Sequence, residues 1–291
     1  MKVVLHIGLP KTATTLTQRV LSDPSNKGFL AKNGINYSRQ PLVTHQLSDE
    51  EIKRRFQEEL IPEKINLYSC ESMLPFDWLG EVWQEEELQQ RGDGAFPIFN
   101  FYYNRLIGIL RTLDCDISII VTWREQVSFV ESMYGQAFKE GRSERSSLTD
   151  YINYDNMDYK LLFEVISNEL SDRDSLHMLW YEDIINHGEV NFIQLFLSIF
   201  SSASAADLFV SQDKYIRNTG PVTSVDFDML RKFKNDTGKR KQMRKLIQER
   251  KIFSYYKNII DPSTKAQIQN KYKESNQRLG MPIITENEFY L

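Results

Sequence analysis

Cysteine is scarce in this 291-residue chain, and two residues, Cys70 and Cys115, cannot build a disulfide framework. Both lie in or beside apolar runs that read as buried strands, which points to reduced thiols in a cytoplasmic protein. Long hydrophobic runs are missing too. The first, at 3–5, is broken within three residues by His6 and Gly8, and no stretch approaches the roughly 20 apolar residues of a membrane span. Neither a secretory leader nor an anchor is expected. With no low-complexity tract, internal repeat or clear break in composition, residues 1–291 are expected to form one domain. Hydrophobic residues at 41% supply a sizeable core, which excludes collagen-like and disordered classes.

The net charge of −4 conceals a polarity along the chain. Residues 49–93 carry thirteen acidic and five basic side chains, whereas 229–257 carry eleven basic and two acidic. Such blocks are usually solvated helix faces. The basic one, at 231–257, is also the natural contact for an anionic acceptor.

Short apolar runs at 3–7, 65–69, 117–122 and 176–181 read as strands, separated by helical patterns such as 14–21, 99–113 and 126–139. Beyond residue 191 the chain reads as mainly helical, with Phe192, Leu195, Phe196 and Ile199 at core spacing. The expected fold is α/β, with a central parallel sheet flanked by helices and a helical C-terminal part. His6 and His177 read as satisfied strand residues and His187 as a turn residue.

The informative stretch is His6-Ile7-Gly8-Leu9-Pro10-Lys11-Thr12-Ala13-Thr14-Thr15, where a strand ends and a helix begins. Backbone N–H groups at a helix start attract anions, and Lys11 with the hydroxyls of Thr12, Thr14 and Thr15 adds charge and donors. The spacing departs from the nucleoside-triphosphatase loop, which needs a second glycine before its lysine.

The pattern G-x-P-K-T-x-T-T resembles the 5′-phosphosulfate loop of sulfotransferases, which have a P-loop nucleotide-kinase-like fold. That resemblance implies 3′-phosphoadenosine 5′-phosphosulfate as sulfuryl donor, 3′-phosphoadenosine 5′-phosphate as product, and no metal. It assigns Gly8, Pro10, Lys11, Thr12, Ala13, Thr14 and Thr15 to the donor's 5′ end; the family usually has glycine where Ala13 stands. It also demands an arginine after a later strand with a serine eight residues on, for the 3′-phosphate. Arg124 follows the run 117–122, and Ser132 stands eight residues further. Weaker agreement comes from Leu179-Trp180-Tyr181-Glu182-Asp183 and from Arg217-Asn218, where Arg217 is a further candidate for the nucleotide.

Sulfuryl transfer needs a proton acceptor and a charge on the leaving oxygen. Lys11 fits the second role. For the first, Glu71 follows the run 65–69 at the expected carboxyl edge of the sheet, where open α/β sheets place their sites. His45 is the competing base. Resemblance to carbohydrate and bacterial members at Ser69-Cys70-Glu71-Ser72, and the missing C-terminal R-K-G loop, imply a glycan or glycoconjugate acceptor. Neither nucleic acid nor an integral membrane contact is expected. The alternatives are a P-loop kinase and a nucleotide-binding protein without catalysis.

Overall fold

Alternate residues of a strand face opposite sides of its sheet, and β1 (Lys2–Gly8) feeds two cores in this way. Val3, Leu5 and Ile7 enter one, Val4 the other. The computed structural model describes residues 1–8, 12, 14–38, 42–71, 73–77, 95–139, 157–208, 238–239, 242 and 260–280, without the side chains of 134–139 and 185. Within them β1 joins β2 (Ile35–Ser38), β3 (Ile65–Cys70), β4 (Asp116–Trp123) and β5 (Ser175–Trp180) in one sheet of order β2-β3-β1-β4-β5. Every pairing is parallel. β1, β3, β4 and β5 are near-continuous apolar runs because helices cover both faces.

On one face lie α1 (Thr14–Ser22), α2 (Lys27–Lys32) and α8 (Glu189–Ser198), packing Leu16, Val20, Leu30, Phe192 and Phe196 against Val4, Leu67 and Ile120. The other face carries α3 (Asp49–Glu59) and α4 (Pro97–Thr112) through Ile52, Phe56, Phe99 and Leu106. The same core continues into α5 (Gln126–Lys139), α6 (Tyr159–Asn168) and the late helix α9 (Pro262–Arg278), while the short α7 (Glu182–His187) follows β5. This is the expected α/β arrangement with a helical C-terminal part. No helix among the described residues is long and apolar enough to cross a membrane.

The acidic block begins as α3, whose Asp49, Glu50 and Glu51 occupy the first turn, where the helix dipole favours negative charge. Ser48 and Glu51 close a capping box there. Its last part, 78–93, lies outside the described residues. Both cysteines are buried, and neither is in a disulfide.

Candidate active site

The parallel sheet brings the carboxyl ends of β3, β1, β4 and β5 to one edge. At the end of β1, Gly8 pairs with Thr122 of β4. Its neighbour across the loop is Thr14, the first residue of α1, and a Cβ on Gly8 would stand 1.7 Å from Thr14 Oγ1 and 2.8 Å from Thr14 Cβ. No side chain fits there, so the glycine answers to a close approach of strand and helix. Thr12 and Thr14 are buried and Thr15 is exposed. The Thr14 hydroxyl has no hydrogen-bond partner, nor has that of Thr17 one turn further on. Pro10, Lys11 and Ala13 lie outside the described residues.

Beneath this junction His6 is fully buried, with Nδ1 2.8 Å from Ser69 Oγ on β3 and Nε2 2.7 Å from Thr122 Oγ1 on β4. Burial lowers its pKa to about 3, so the ring is neutral and its two nitrogens divide into one donor and one acceptor. His6 thus ties three strands together just below Gly8. Gln18 of α1 donates from Nε2 to Ser69 O at 2.9 Å, fixing the helix to β3.

Glu71 leaves β3 in a turn and is half-buried. Two residues on, Met73 O accepts both the N–H and the hydroxyl of Thr44, at 3.1 and 2.7 Å. Thr44 opens the 3₁₀ turn Thr44–Gln46, which Arg105 of α4 braces by donating to Thr44 O and Leu47 O. The central residue of that turn is His45, half-buried and edge-on to Tyr102 with ring centroids 6.1 Å apart. The two candidate bases therefore sit on segments bonded to each other, although they are 26 residues apart in sequence.

Arg124 follows β4 and is half-buried. Its Nε donates to Ser128 Oγ at 3.0 Å, and its guanidinium carbon lies 4.4 Å from the centre of the Tyr181 ring. Ser132, one turn beyond Ser128 on α5, is half-buried. Glu125 caps α5, accepting from Val127 N at 3.0 Å and Ser128 N at 2.8 Å. The N–H of Glu125 donates to Glu182 Oε1 at 3.0 Å, and Arg124 O accepts from the Tyr159 hydroxyl at 2.8 Å. Glu182 is fully buried, and its Oε2 has no hydrogen-bond partner. Burial pushes its carboxyl up to about 7, against the lowering effect of the Glu125 N–H and of Arg124. Burial also raises Glu125, whose two amide donors act the other way.

Sequence reasoning missed Ser128, Glu125 and Glu182 as neighbours of Arg124. Only Glu182 left a trace, as part of the strand end at 179–183. Arg217 lies outside the described residues, as does the basic stretch 231–257 apart from 238, 239 and 242. Among the described residues no three His, Cys, Asp or Glu side chains are grouped as metal ligands.

No protein-family model matches the chain, and no curated protein matches it. Among solved structures, a sulfotransferase from Alicyclobacillus acidocaldarius is similar with a TM-score of 0.44 and 10% identity, covering 84% of this chain and 96% of that one.

Proposed function

We propose that the chain is a sulfotransferase, moving a sulfuryl group from 3′-phosphoadenosine 5′-phosphosulfate to a hydroxyl of a carbohydrate or glycoconjugate, in the cytoplasm and without a metal ion. The observation that carries this reading is the adjacency of two motifs that are 116 residues apart in sequence: Gly8 pairs with Thr122, two residues before Arg124. A nucleotide phosphorylated at both its 3′ and 5′ positions needs two anion sites on one edge of the sheet, and neighbouring strand ends can supply them. The fit at Gly8 is local: there is no room for a side chain, and the buried Thr14 hydroxyl beside it lacks a protein partner.

In this reading the loop 8–15, with Lys11 and the threonine hydroxyls at the start of α1, holds the 5′-phosphosulfate. Arg124 and Ser132 hold the 3′-phosphate, Arg124 by its planar fork, and Arg217 is a further contact to the nucleotide. The donor supplies an activated sulfuryl group, whose bond to the phosphate oxygen breaks as the acceptor oxygen bonds to sulfur. Lys11 stabilises the negative charge left on that phosphate oxygen. Glu71 takes the acceptor's hydroxyl proton, with His45 the alternative base.

The test is incubation of the full chain with the donor and a panel of oligosaccharides, read by mass spectrometry. The expected result is a sulfated sugar and 3′-phosphoadenosine 5′-phosphate, unaffected by a chelator. Phosphoryl transfer from ATP that a chelator stops would instead show a kinase. Binding of the bisphosphate product with no transfer across the panel would leave only a nucleotide binder.

A further inference from the structure

Glu182 is an expensive residue in its position. A carboxylate with no exposed surface and one unpartnered oxygen costs several kcal/mol unless neighbours or a proton compensate. Its one resolved task is to accept the Glu125 N–H through Oε1. An amide or an ordered water would serve that purpose without a buried charge. The charge matters because of what surrounds it. Arg124 and Glu125 face it from the β4–α5 corner and Tyr159 from α6, with Glu131 of α5 and Tyr272 of α9 behind them. Burial raises Tyr159 well above its usual range, so that hydroxyl stays neutral. Both oxygens of Glu125 hold backbone N–H donors, whereas Glu182 keeps Oε2 unpartnered, which makes Glu182 the readier of the two carboxyls to take a proton.

We propose that Glu182 is a positioning residue whose proton sets how strongly Arg124 holds a phosphate dianion. Ionised, Glu182 adds a second negative charge beside the arginine and weakens the anion's hold. Protonated at Oε2, it keeps its bond to the Glu125 N–H, so the corner keeps its shape while that opposing charge is gone. By linkage the effect is reciprocal, and a dianion arriving at Arg124 draws a proton from solvent onto Glu182. The sign follows from the raised carboxyl, which is neutral below about pH 7 and charged above it. This inference rests on the assignment of Arg124 to the 3′-phosphate.

The test compares wild type with Glu182→Gln, which retains an acceptor for the Glu125 N–H and removes the charge. Calorimetric affinities for 3′-phosphoadenosine 5′-phosphate are taken from pH 6 to pH 8.5, and the ratio of the two proteins cancels the phosphate's own titration. The two affinities are expected to agree at pH 6, and the variant to bind about threefold to tenfold tighter at pH 8.5. A merely structural Glu182 would give weaker binding in the variant at every pH, and a constant ratio overturns the proposal. Should Glu182→Gln not fold, the wild type alone decides, through binding heats in buffers of different ionisation enthalpy at pH 7.5. Uptake of roughly 0.25–0.5 proton per nucleotide is expected, and no uptake or net release overturns it. AMP, lacking the 3′-phosphate, is expected to bind with no such uptake. If neither protein binds the bisphosphate at any pH, the functional reading falls and this inference with it; binding with a flat ratio removes the inference alone.

Discussion

At the end of β1 the described residues carry no charge: a glycine lies against a threonine, and hydroxyls are buried around the start of α1. At the end of β4, the next strand over, an arginine is stacked on a tyrosine, and one of two raised carboxyls hydrogen-bonds the backbone of the other. In the proposed reading both ends hold an anion, by different physics. The β1–α1 junction leaves no space for a side chain on Gly8. The β4–α5 corner holds a cation in a hydrogen-bonded frame that includes two carboxyls raised by burial. A cradle of pre-set donors suits a reacting group, because such donors need no reorganisation as charge moves. The tunable corner suits a remote group that decides only whether the ligand binds.

That division predicts that substitutions on the two sides fail differently. The largest effect is expected at Glu71, on the cradle side: Glu71→Gln keeps the shape, so affinity for 3′-phosphoadenosine 5′-phosphate persists while kcat for sulfuryl transfer falls by roughly 10²–10⁴. His45→Gln keeps most of its activity. Steady-state kinetics on the pair decides, and a dead His45 variant beside a normal Glu71 variant would move the base to the 3₁₀ turn.

Next in size is Gly8→Ala. The new methyl would meet three Thr14 atoms within 3 Å, so α1 must shift, at a cost of about 3 kcal/mol. Thr14→Ala in the same chain removes two of those atoms and is expected to restore about half of the loss. A denaturant-unfolding cycle on the two single variants and the double one measures this coupling. Additive losses would mean that the glycine is needed for something other than space.

The two ends also differ in how far the sequence reveals them. The Gly8 junction is local, since strand, glycine, lysine and threonines fall within ten residues, and the pattern is readable without knowing the fold. The strands β1, β3, β4 and β5 are readable for a related reason, because burial on both faces makes each a nearly unbroken apolar run. β2 escapes notice: Ile-Asn-Tyr-Ser is four residues long at the sheet edge, too short and too polar for a period to show. The corner is hidden for another reason. Glu182 is 57 residues from the backbone N–H it accepts, and in composition it looks like any solvated acid at a helix start. The contact of Arg124 with Ser128 is equally hard to foresee, because it depends on the guanidinium lying back along the first turn of α5.

On the corner side, Arg124→Ala is expected to weaken binding of the 3′,5′-bisphosphate about tenfold to a hundredfold, the usual worth of a hydrogen-bonded charge pair. AMP binding is expected to stay nearly unchanged, and kcat at saturating donor to fall little. Calorimetry with both ligands is the check, and equal losses for the two would place Arg124 near the 5′ end and dissolve the contrast between the strand ends.

The smallest effects concern what holds the corner from behind. Gln126, the residue after Glu125, is buried and exchanges two amide hydrogen bonds with Asn276 of α9, at 2.9 and 2.8 Å. On the same two helices Lys265 pairs with Glu131 at 2.7 Å, both side chains being partly exposed. Asn276→Leu removes the donor to the buried Gln126 Oε1 while Gln126 Nε2 keeps Met157 O, and the stranded oxygen is expected to cost about 1–2 kcal/mol of stability. Because that strain falls next to Glu125, bisphosphate affinity is expected to drop severalfold as well. Lys265→Ala breaks a partly hydrated pair and is expected to cost under about 1 kcal/mol, with less still at high salt and no change in nucleotide binding. Thermal melts and calorimetry on the two variants separate the cases. If Asn276→Leu lowers the melting temperature and leaves nucleotide affinity untouched, the corner is rigid without α9, and its frame ends at Glu182.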